Sequence, residues 1–138
     1  MTPKSLVIFV DGASRGNPGP ASVGAVLQDE SGRNIKTLSI PIGTATNNVA
    51  EYFALLAALQ EALAMGAKSV RVFTDSELLA KQFSGEYRIK DSTLKLLGIL
   101  VRQLRGFFKT MALEHIPREK NKLADQAANE ALDQGFLL

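Results

Sequence analysis

LVIFV at Leu6–Val10 runs directly into DGASRGNPGP at residues 11–20. Five apolar residues in a row, mostly branched, read as a strand buried on both faces, the kind that occupies the middle of a sheet. Gly12, Gly16, Pro18, Gly19 and Pro20 punctuate the next stretch, so Asp11–Pro20 reads as a turn. Outward from this strand, Val23–Leu27 and Ile35–Ile42 read as two more strands, joined by a turn at Asp29–Gly32. Short turns make the three an antiparallel meander.

Helical spacing begins at Thr46 or Asn47, both good N-caps, and runs to Met65 before Gly66 stops it. Ser69–Thr74 alternates as a fourth strand, and Ser76 can cap a short helix ending near Gly85. From about Ser92 to Arg105, Leu94, Leu97, Val101, Leu104 and Phe108 fall three and four apart and form one helical stripe. Met111–His115 reads as a fifth strand, and Asn121 can cap a last helix to about Gln134. The order βββαβααβα predicts an α/β fold. Its five-stranded mixed sheet would combine a three-strand antiparallel meander with two parallel strands, flanked by helices. At 138 residues, the whole of 1–138 is expected to be one domain.

Composition excludes several classes. With 46% hydrophobic and 22% charged residues the chain is an ordinary globular sequence. No apolar run approaches the roughly 18 residues of a membrane span, and MTPKSLVIFVDG lacks the marks of a signal peptide. The expectation is a cytoplasmic protein with no membrane partner. The absence of cysteine rules out disulfides, thiolate catalysis and zinc–sulfur sites. The net charge of +2 permits a nucleic-acid partner without demanding one. Its distribution is uneven: residues 81–138 carry ten Lys/Arg against seven Asp/Glu, and residues 1–80 carry six against seven.

Four acids fall at notable places. Asp11 ends the LVIFV run and Asp75 ends the strand Val70–Thr74, and strand ends at the edge of an α/β sheet are where sites form. Glu51 lies near the start of the long helix and Asp125 near the start of the last one. Each alone reads equally well as a surface acid or a helix-start charge. If they converge, their repulsion calls for cations between them, and hard oxygen donors suit Mg²⁺ or Mn²⁺. Two such ions about 4 Å apart can activate a water and stabilise a leaving oxygen in phosphoryl transfer.

The chain resembles type 1 ribonuclease H across nearly its whole length. The motifs that carry the resemblance are FVDGASRGNPGP at 9–20, TNNVAEY at 46–52, TDSELL at 74–79 and HIPREKNKLAD at 115–125. The family's four catalytic acids fall on Asp11, Glu51, Asp75 and Asp125 without substitution. The resemblance implies hydrolysis of the RNA strand of RNA–DNA hybrids with two Mg²⁺ ions, Mn²⁺ being an alternative, to give 5′-phosphate and 3′-hydroxyl ends. It also implies that His115, the only histidine and ten positions before Asp125, assists proton transfer or product departure. Taken alone, a single histidine at a strand end reads more readily as a structural residue.

Asn17, Thr46, Asn47 and Asn48 match family positions that touch the hybrid, Gly12 would let the backbone approach the RNA strand closely, and Ser76 is a further expected substrate contact. Short amides and hydroxyls suit a 2′-hydroxyl, a base edge or a phosphate, although the same residues also serve turns and caps. The best-known relatives add a basic protrusion that grips the DNA strand. Here the segment before Ser92 is only EYRIKD, and the following helix offers Lys95, Arg102 and Arg105, either a reduced phosphate grip or a solvated face. Arg88 and Lys90 are the alternative grip. The expected partner is an RNA–DNA hybrid, bound by a monomer. Apolar Phe136, Leu137 and Leu138 end the chain, and Phe136 and Leu138 are expected to pack back on the domain.

Rival readings are a transposase-like enzyme of the same superfamily, a nuclease of this fold that also cuts double-stranded RNA, a non-catalytic nucleic-acid-binding module, and a nucleotide-binding protein. The first usually lacks the TNNxAEY helix start. The binding module would be expected to lose a carboxylate, and none is lost. The last fails because GNPGP leads into a strand rather than opening a helix.

Overall fold

The computed structural model describes residues 5–135. Strands β1 (Ser5–Ser14), β2 (Gly19–Gln28) and β3 (Asn34–Ala45) come first, then helix α1 (Asn47–Ala64) and strand β4 (Ser69–Thr74). Helices α2 (Glu77–Ser84) and α3 (Ser92–Arg105), strand β5 (Thr110–His115), a 3₁₀ turn at Arg118–Lys120 and helix α4 (Lys122–Gly135) complete the order. The five strands form one sheet in the order β3-β2-β1-β4-β5. β1 is antiparallel to β2 and β2 to β3, whereas β4 runs parallel to β1 and β5 parallel to β4. The meander and the two parallel strands therefore stand as the sequence predicts.

One expected boundary moves. Asp11–Ser14 belong to β1 rather than to a turn, because their backbone stays paired with β2 from Asp11↔Gly24 to Ser14↔Ala21. On the other side of β1 the parallel pairing stops at Val10↔Thr74. The strand thus runs past its neighbour β4, and the turn shrinks to residues 15–18, closed by the Arg15 amide on the Pro20 carbonyl at 2.8 Å.

Alternation along β1 and β4 sends Leu6, Ile8, Val10, Val70 and Val72 to one face, where they are almost wholly buried. α1 covers that face with Ala50, Ala54, Leu55, Ala58, Leu59 and Ala62, its alanines allowing close approach. The predicted stripe of α3 packs alongside, with Leu94, Leu97, Val101 and Phe108 buried. Each full burial of such a side chain contributes about 1.5–3 kcal/mol. The opposite face is covered by α4 through Ala124, Ala127, Ala128, Ala131 and Leu132. α4 lies so close that a side chain at Gly24 would strike the backbone of Ala124 and Ala128. The Ser22 and Ser39 hydroxyls donate to the Ala128 and Ala127 carbonyls and fasten the helix there. Among the described residues no helix is long and apolar enough to cross a membrane. The expected packing of Phe136 and Leu138 lies outside the described residues.

Candidate active site

Register builds the first half of the site. β1 and β4 are paired in step up to Val10↔Thr74, so Asp11 and Asp75 are the next residues on adjacent strands. β5 is paired in step with β4 as far as Thr74↔His115, which sets His115 at the same end of the sheet, with its side chain exposed. This is the carboxyl-end edge of the three parallel strands, where open α/β sheets form their sites.

Helix α1 supplies the third acid. Thr46 caps it, its hydroxyl accepting from the Val49 amide at 3.2 Å, and this fixes where Glu51 emerges. Glu51 accepts a short hydrogen bond from the Gly12 amide. Gly12 is obligatory here, because a Cβ would collide with the backbone of Ala50 and Glu51. The close approach at Gly12 is thus to α1. The carboxylate oxygens of Asp11, Glu51 and Asp75 all lie within 4.8 Å of one another. Asp11 is 5% exposed and Glu51 8%.

Asp125 stands in the first turn of α4, half-buried and within hydrogen-bonding reach of Asp11, but outside that mutual group of three. Asn121 brings it there. Its side-chain amide donates to the Val10 carbonyl at 2.8 Å, and its backbone carbonyl accepts from the Asp125 amide at 3.1 Å. The predicted capping by the Asn121 side chain is not what the structure shows: Oδ1 is buried without a partner among the described residues, and Nδ2 ties α4 to β1.

Burial and mutual repulsion dominate the electrostatics. Burial, then the charges of Glu51 and Asp75 and the neighbouring Asp125, push the Asp11 carboxyl far above the usual carboxylate range. Burial also raises Glu51, against the pull of the Gly12 amide. Arg118, in the 3₁₀ turn after His115, lies near enough to favour ionised Glu51. Sequence reasoning passed over Arg118, although it sits inside HIPREKN. Three hard-oxygen donors this close, two of them buried, fit a divalent cation: without one they must retain protons or repel.

The other predicted residues gather at the same region or brace it. Asn17 Oδ1 accepts from the Asn47 amide at 3.1 Å, linking the β1–β2 turn to the start of α1. Asn17, Asn47 and Asn48 are exposed, and Thr46 is half-buried. Ser76 caps α2, its hydroxyl accepting from the Leu79 amide at 3.1 Å. The basic residues divide. Arg88, Lys95 and Arg102 line a hollow of about 550 Å³ between α2 and α3 with Gln82, Tyr87 and Ile89. Arg105 instead stacks its guanidinium 5.3 Å from the centre of the Phe83 ring.

Residues 9–131 match the family described as reverse transcriptase-like. A ribonuclease HI of Halobacterium salinarum is 44% identical over 125 residues, which is 91% of this chain. The chain belongs to the ribonuclease H family. It spans 63% of the length of that Halobacterium relative. The crystal structure of RNase H1 from Halobacterium salinarum superposes with a TM-score of 0.92 at 42% identity, covering 94% of this chain and 98% of that one. LC11-RNase H1, crystallised in complex with an RNA/DNA hybrid, gives a TM-score of 0.90 at 41% identity, covering 95% and 99%. Family membership thus extends over both the sheet and the helices that deliver the four acids.

Proposed function

We propose that this chain hydrolyses the RNA strand of RNA–DNA hybrids, with Asp11, Glu51, Asp75 and Asp125 as ligands for two Mg²⁺ ions, Mn²⁺ being an alternative. One observation carries the reading: the carboxylates of Asp11, Glu51 and Asp75 converge within 4.8 Å. The likeness to LC11-RNase H1, crystallised with an RNA/DNA hybrid, supports the substrate. When bound, the ions would supply the positive charge that activates a water and stabilises the departing 3′ oxygen.

The protein's own groups do the rest. Asp11 and Asp75 stand side by side on a rigid sheet, so their spacing is fixed before substrate arrives. Glu51 and Asp125 reach them from helices on opposite faces. His115 is exposed beside the Asp75 end of β4, free to take or return a proton at the leaving oxygen. Asn17, Thr46, Asn47 and Asn48, together with Ser76, offer amides and hydroxyls to the hybrid, while Gly12 commits its amide to Glu51. Arg88, Lys95 and Arg102 supply charge for the phosphates of the DNA strand. The working unit is a cytoplasmic monomer. Cleavage of matched RNA–DNA, RNA–RNA and DNA–DNA duplexes, with and without Mg²⁺ or Mn²⁺, tests this. Only the hybrid should be cut, in its RNA strand and only with metal. An intact hybrid in both metals would overturn the activity, and equal cutting of RNA–RNA would overturn the substrate.

A further inference from the structure

Tyr52 follows Glu51 directly on α1, and its hydroxyl donates to Gln82 Oε1 on α2 at 2.7 Å. Tyr52 is 3% exposed and Gln82 6%. Among the described residues this is the only side-chain hydrogen bond between the two helices. α1 otherwise rests on β1, β2 and α3, and meets α2 at few points. α2 is rooted at the site, since Ser76, next to Asp75, caps it. The bond therefore joins the helix that carries Glu51 to the helix that starts beside Asp75.

Packing alone does not call for that hydroxyl. The ring of Tyr52 shares a small cavity with Leu79, Phe83, Ile89 and Val101, which a phenylalanine would suit equally, and with the polar Gln82 and Arg102. What the hydroxyl adds is direction: a buried donor–acceptor pair fixes distance and angle where apolar contacts permit sliding. Glu51 needs such a fix. Its hydrogen bond from Gly12 ties it to β1, whose pairing sets the spacing to β4, and the Tyr52–Gln82 bond adds a second tie across the distance from α1 to Asp75. Repulsion between Glu51 and Asp75 would widen that distance.

We propose that Tyr52 and Gln82 are positioning residues, whose hydrogen bond holds Glu51 at ligand distance from Asp75. The inference rests on the metal-dependent nuclease reading. Tyr52→Phe keeps the ring and removes the donor; Gln82→Met keeps the chain length and removes the acceptor. Calorimetric titration of the metal-free protein with Mn²⁺ reads the site without turnover. Each variant should bind Mn²⁺ about tenfold more weakly, the lower end for residues that orient metal ligands. Hybrid cleavage should fall at limiting metal and recover at saturating metal, with KM for the hybrid unchanged. The double variant should be no worse than either single one, because the pair acts as a unit. Variants that melt lower but bind Mn²⁺ like the wild type would overturn the inference and leave the bond a structural one. A wild type that binds Mn²⁺ but cuts no hybrid would sink the nuclease reading alone, and one that binds no Mn²⁺ would sink both.

Discussion

The carboxylate cluster and the basic hollow are both polar regions at the edge of the molecule, but they are built in opposite ways. Asp11 and Asp75 are placed by backbone register, one residue past the last parallel pair, and short side chains leave them little freedom. Arg88, Lys95 and Arg102 project long, exposed side chains from a connection and a helix into an open hollow. The first region concentrates charge that the fold must neutralise, and the second spreads charge that water already solvates. Chemistry belongs where geometry is rigid and desolvated, and affinity can be left to the loose array.

The sharpest way to break this contrast is to alter each region and compare. Asp11→Asn or Asp75→Asn should lower cleavage by more than about a hundredfold, beyond the 10- to 100-fold typical of residues that only orient ligands. Arg88→Ala, Lys95→Ala and Arg102→Ala should leave kcat unchanged and weaken hybrid binding. Near wild-type turnover in a folded Asp11→Asn protein would remove the cluster from the chemistry.

Salt provides the second comparison. Binding measured against salt should lose roughly 2–3 units of log–log slope when Arg88, Lys95 and Arg102 are all replaced by Ala, near one unit per phosphate contact. Arg105→Ala, stacked on Phe83, should leave the slope alone. An unaltered slope in the triple variant would make the hollow ordinary solvated surface.

A smaller effect, in stability, sharpens the account of the cluster. In EDTA, Asp11 and Glu51 carry folded pKa values raised above their ordinary 3.8 and 4.5. A raised carboxyl favours the folded state while protonated. That contribution is complete below the ordinary values and is lost as pH climbs through the raised ones. The metal-free protein should therefore melt several degrees lower at about pH 8 than at about pH 5. Asp11→Asn should flatten that decline, and Mg²⁺ should offset it in the wild type by binding the native state. Parallel pH curves for wild type and variant in EDTA would mean that the acids do not share one site.

These contrasts also explain what could be read from sequence. β4 and α3 appear with the expected bounds because their ends carry local signals: Asp75 and Ser76 after one, the capping Asp91 before the other. β1 was expected to stop at Val10 because glycine and proline crowd the next ten residues, but pairing with β2 carries it through Asp11–Ser14. The positions of the four acids were visible as motif, whereas bringing Asp11 beside Asp75 depends on pairing between segments more than sixty residues apart. Asn121 illustrates the limit. Its place before a helix advertises a cap, yet its amide serves a carbonyl 111 positions away. The sequence offered Arg105 with Lys95 and Arg102 as one basic face, but no local signal shows that Phe83, on another helix, captures its guanidinium.

The stepwise pairing of β1 with β4 has one more consequence. Side chains along a strand repeat every two residues, so a slip of β4 by two positions would keep every apolar residue on its proper face. Face alternation alone would not reject that slip, although it would bring Lys68 or Thr74 into the place of a buried valine. Asp75, however, would move about 6.6 Å from its place beside Asp11. A cation held by both carboxylates would bind the true sheet and not the slipped one, deepening that minimum alone. Such an ion would add its own check on strand alignment to the one that burial provides.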